Sequence, residues 1–111
     1  MSGATEYQII NKNIRDLLDT MSSKIINVVR IDSGNSLEHK LKKCEIAYNL
    51  LKQGRTIITE AKLKNGKKPD ILVLDLNNPI AYEIMKSESM KSIHKKEEEY
   101  LGIRIIPIKC D

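Results

Sequence analysis

The stretch Lys68-Pro-Asp70-Ile-Leu-Val-Leu-Asp75-Leu-Asn-Asn-Pro79-Ile-Ala-Tyr-Glu83-Ile-Met-Lys86 decides the fold. It holds two β-rich runs, Asp70–Asp75 and Ile80–Lys86, separated by Leu76-Asn-Asn-Pro79. Branched aliphatics favour strands, and Asn and Pro mark turns. The short connection makes the two strands an antiparallel pair. Asp70 opens the first and Glu83 sits in the middle of the second, so their carboxylates meet across the sheet in this reading. A charge inside an apolar strand is costly unless it is paired. If the strand of Glu83 is interior, a partner or a metal is expected; at an edge, Glu83 faces water.

Outward from this pair, Arg55–Leu63 reads as a preceding strand, with Asn65-Gly66 as a hairpin turn. Leu37, Leu41, Cys44, Tyr48 and Leu51 recur at helical spacing, and Gly54 supplies the stop. This stripe is the expected core face, with Cys44 as a core residue. Met90, Ile93, Glu97, Tyr100 and Leu101 suggest another amphipathic helix. A last strand covers residues 103–108, where Pro107 removes a ladder donor and points to an edge. The order after residue 34 is helix, three-stranded meander, helix, strand. Upstream, Ile10, Ile14, Leu17, Met21, Ile25 and Val28 fit a helix, whereas residues 24–31 fit a strand equally well. The expected organisation is an N-terminal helical extension, 1–33, and a core, 34–111.

The chain has 111 residues and a formal charge of +4, a basic balance compatible with a polyanionic partner. Phe and Trp are absent, so Ile, Leu and Val must build the core. Cys44 and Cys110 are far apart and form neither a CxxC pair nor a disulfide framework. With no signal-peptide core and no membrane-length apolar run, the expected setting is the cytoplasm. The Ile- and Lys-rich composition fits an AT-rich genome, such as that of a thermophile or its virus. His39 and His94 are expected to be solvated.

Pro69-Asp70, the spacer and Glu83 resemble the PD-(D/E)xK nuclease group, and more narrowly its small archaeal Holliday-junction-resolvase type. Gly34-Asn-Ser-Leu-Glu38-His-Lys-Leu41 resembles that group's first-helix segment. The resemblance spans residues 34–108 and implies an α/β, restriction-endonuclease-like αβββαβ core with a mixed central sheet. It further implies hydrolysis of DNA phosphodiester bonds, with Asp70 and Glu83 as ligands of Mg²⁺ or Mn²⁺ and Glu38 as a third acid. Glu38 also fits a capping box begun by Asn35. Met85 stands where the motif has its lysine. The adjacent Lys86, which alternation turns away from Glu83 unless a bulge re-aims it, and Lys62 on the preceding strand are the substitutes; with neither, the domain is a degenerate nucleic-acid- or protein-binding module. Lys64, Lys67 and Lys68 are candidates for phosphate contacts. The small surface of one copy suggests a homodimer, and the N-terminal stripe is a candidate oligomerisation arm.

Overall fold

A computed structural model describes residues 5–20, 25–31, 34–86 and 103–110. Its helices are α1 (Glu6–Leu17) and α2 (Leu37–Lys52), and its strands β1 (Ile57–Thr59), β2 (Ile71–Val73), β3 (Ile80–Met85) and β4 (Arg104–Lys109). The four strands form one mixed sheet in the order β1-β2-β3-β4. The first three make the expected antiparallel meander, and β4 runs parallel to β3. The helix expected over residues 90–101 lies outside the described residues, as does His94.

Each described boundary has a local cause. Ser36, not Asn35, is the N-cap of α2 and accepts from the His39 amide. Gly54 closes α2 at φ 83°. Its amide bonds Leu51 O and the Arg55 amide bonds Leu50 O, which satisfies the carbonyls the last turn leaves open. The β1–β2 hairpin turns at Asn65-Gly66 with Gly66 at φ 89°. Pro107 lies on β4, which occupies one edge of the sheet. β3 is interior, so Glu83 does not sit on an edge strand.

Two apolar clusters share the sheet. Ile57, Ile71 and Val73 pack with Ala47 and Leu50 of α2. On the other side, Ile58, Leu72, Ala81 and Ile105 pack with Leu18, and Ile10, Ile14 and Leu17 of α1 lie against them. The two sets alternate along β1 and β2, as side chains of period two must.

The N-terminal segment follows neither simple reading. Helix ends at Leu17, where Leu18 turns extended and forms a bridge with Leu63. Asn13 is buried, and its amide donates to Leu74 O and Leu76 O at 2.7 and 2.8 Å. Asn27 then takes a left-handed φ of 60° and exchanges hydrogen bonds with Ile57, while the Thr59 hydroxyl donates to Val28 O. This chain runs along the outer side of β1 and occupies donors and acceptors that an open sheet edge would expose.

The expected stripe of α2 is not its buried face, although Leu51 at its C-terminal end packs with the α2-side cluster. Leu37, Leu41 and Tyr48 are 66%, 61% and 64% exposed, and Cys44 is half-buried. The buried positions are Lys43, Ala47 and Leu50. The centre of the buried set lies roughly 110° of helix rotation from that of the expected stripe.

Candidate functional site

This orientation of α2 turns His39 and Lys43 toward the sheet. They stand four residues apart, hence one above the other on a single helix face. His39 Nε2 lies 3.4 Å from Asp70 Oδ2. Lys43 Nζ lies 2.5 Å from Glu60 Oε1. The acids are neighbours in turn. The β1–β2 register pairs Thr59 with Ile71, so one further step sets Glu60 opposite Asp70, and the Glu60 amide approaches Asp70 O at 3.4 Å. The β2–β3 register pairs Ile71 with Tyr82, so the same step sets Asp70 opposite Glu83. Glu60, Asp70 and Glu83 therefore occupy one level across three adjacent strands.

Regular alternation would not aim all three acids at α2. Ile58 packs on the face away from α2, and Glu60 two residues later would follow it. Instead Glu60 adopts φ 55°, in the left-handed region, and its carboxylate meets Lys43. A non-glycine residue held there costs about 1–3 kcal/mol and persists only where its surroundings fix it. Asp70 precedes β2 and is likewise released from the pleat. Its Oδ2 accepts the Ile84 amide at 2.8 Å as well as facing His39. Glu83 lies within regular β3, between Tyr82 of the α2-side cluster and Ile84, so alternation aims it with Ala81. The Asp70 carboxylate thus contacts the β3 backbone at the residue next to Glu83. Asp70 is 8% and Glu83 6% exposed.

Of the other expected site residues, Glu38, Lys62 and Lys86 are exposed. Glu38 lies one position, about 100° of rotation, from His39. Met85, at the position of the motif's lysine, is buried. His39, expected in solvent, is instead largely enclosed against Asp70, and its Nδ1 is buried without a hydrogen-bond partner. Reading the sequence alone missed His39, Lys43 and Glu60. The available signal was the second stripe of α2: His39, Lys43, Ile46, Ala47 and Leu50 are also helically spaced, with two polar residues at its N-terminal end.

Mg²⁺ takes hard oxygen ligands, commonly one or two carboxylates with the remaining positions filled by water. Asp70 and Glu83 have that donor chemistry. Among the described residues no group of three or more His, Cys, Asp or Glu is placed to hold a metal ion. No helix of the described residues is long and apolar enough to cross a membrane. No family model matches this chain, and no curated protein or solved structure matches it either.

Proposed function

We propose that this protein is a metal-dependent deoxyribonuclease with a restriction-endonuclease-like core. The observation that carries the reading is the row Glu60, Asp70, Glu83: three acids at one level of three adjacent strands, two of them buried, with Lys43 and His39 of α2 against the first two. Buried carboxylates need compensating charge or hydrogen bonds. The order helix, meander, parallel strand supports the same reading.

In this reading Asp70 and Glu83 would hold Mg²⁺ or Mn²⁺, which would supply an acidified water and charge stabilisation at phosphate. The Ile84 amide fixes Asp70, and His39 restrains its other approach. A water oxygen bonds to phosphorus as the bond to the departing ester oxygen breaks. The products are a phosphate monoester and a free hydroxyl, with the proton of the water passing to the leaving oxygen through solvent. Lys64, Lys67 and Lys68, all exposed in the hairpin connection, contact backbone phosphates without reading sequence. A homodimer enlarges the surface available to a duplex or junction.

The test is cleavage of labelled duplex, single-stranded and four-way-junction DNA in Mg²⁺, Mn²⁺ or EDTA. Cutting is expected with either metal and not in EDTA. Asp70→Asn and Glu83→Gln should each lower it by more than about 100-fold, since outer partners of metal ligands alone cost about 10–100-fold. Cutting retained in both variants overturns the assignment. A second reading is favoured by one observation: buried Met85 occupies the lysine position of the motif. It makes the domain a non-catalytic DNA-binding module, and its signature is DNA binding unchanged in EDTA and in both variants, with no cutting.

A further inference from the structure

Among the described residues, the bulkiest fully buried side chain is a lysine. Lys43 is 1% exposed. Lysine is almost never buried so completely without a partner, and here the partner is Glu60. A buried ion pair is weak evidence of a stabilising device, because apolar residues of similar volume often serve stability as well or better. This pair is also built on a backbone position in the left-handed region at Glu60. Strain of that kind concentrates at functional sites. The location agrees. Lys43 is one helical turn from His39, which faces Asp70, and Glu60 is the cross-strand neighbour of Asp70. Helix residues four apart are about 5–6 Å from one another and neighbouring strands about 5 Å, so the Lys43–Glu60 pair adjoins the His39–Asp70 pair.

Resting on the nuclease reading, we infer that Lys43 supplies the site's lysine from α2, in place of the β3 position taken by Met85, with Glu60 as the residue that positions it. The Lys43 ammonium offsets negative charge as the phosphate is attacked, the role a preorganised donor plays in phosphoryl chemistry. Glu60 restrains it by holding the amine at 2.5 Å. Exposed Lys86 and Lys62 are the rivals.

The experiment compares the full-length wild type with Lys43→Arg, Lys43→Met/Glu60→Met, Lys86→Ala and Lys62→Ala. The double variant removes both charges together, so no buried charge is left alone and the fold is kept, which its circular dichroism melt verifies. Three quantities are read: single-turnover cleavage at saturating junction DNA with Mn²⁺, junction affinity in Ca²⁺, and Mn²⁺ affinity by calorimetry. The double variant is expected to lose about 10²–10³-fold in the cleavage rate, the scale of one preorganised donor, with junction affinity unchanged. Mn²⁺ should bind it with unchanged affinity, because a cation and an anion leave the neighbourhood of Asp70 together. Lys43→Arg should recover part of the rate. A double variant cutting at the wild-type rate, a loss of Mn²⁺ affinity that accounts for the lost rate, or an equal loss in Lys86→Ala or Lys62→Ala overturns the assignment of Lys43 while the nuclease reading stands. A wild type that cuts no DNA with any metal overturns both.

Discussion

Asn13 carries a larger share of the N-terminal packing than its polarity suggests. It is buried on α1, and its side-chain amide caps two carbonyls that follow β2, Leu74 O and Leu76 O. Leaving a buried acceptor unsatisfied costs about 1–3 kcal/mol. Asn13→Ala should therefore lower the urea midpoint by an amount equivalent to about 2 kcal/mol, with the slope of the transition unchanged. An unchanged midpoint would mean that water reaches both carbonyls once the side chain is gone. The same scale explains which acids could be found from sequence. Asp70 and Glu83 stand out in the sequence because one follows Pro69 at the head of a β-rich run and the other interrupts an apolar strand. Glu60 was not, since its reach toward α2 depends on a left-handed φ at the end of β1. Nothing in Thr59-Glu60-Ala61 announces that conformation.

At the scale of elements, α2 shows how a helix can be legible in extent and illegible in orientation. Its stop at Gly54 and its span follow from sequence, and the meander and its turns do too. Its apolar stripe misleads: three large apolar residues, Leu37, Leu41 and Tyr48, face outward, while the sheet side carries Lys43. Periodicity finds the most hydrophobic face, and here the inward face is polar where it meets Glu60 and Asp70. The orientation is testable by a pair of substitutions. Leu41→Gln removes an exposed side chain and should change stability by no more than about 0.5 kcal/mol. Ala47→Leu inserts bulk where Ala47 is fully enclosed against Ile57, Ile71 and Val73, and should cost about 1–3 kcal/mol. The opposite ranking in chemical denaturation would restore the stripe through Leu41 as the core face. The connection between β3 and β4 offers no such comparison, because residues 87–102 are outside the described structure.

For the whole molecule, the decisive question is whether the first third is an appendage or part of the core. The α1 part of its apolar stripe is spent within the chain: Ile10, Ile14 and Leu17 lie against the sheet, and Leu18 is enclosed with Leu63 and Leu72, whereas Ile25 and Val28 are exposed. The Asp19 amide bonds Lys62 O and the Lys64 amide bonds Leu17 O, so the strand-like turn after α1 is hydrogen-bonded to the hairpin on both sides of Leu63. Fully burying one Leu or Ile contributes about 1.5–3 kcal/mol, and a domain of this size has a net stability of about 5–15 kcal/mol. Removing residues 1–19 strips one buried and three partly buried aliphatics along with the Asn13 hydrogen bonds, a loss comparable with the whole margin. The truncated chain should therefore lose its cooperative urea transition and expose the Ile58–Leu72–Ala81 face, seen as binding of an apolar dye. An oligomerisation arm behaves differently. Its removal leaves a cooperative monomer whose only change is a smaller size in solution. Sizing and denaturation on the same sample separate the two, and a cooperative, smaller species would return the segment to the role of an arm.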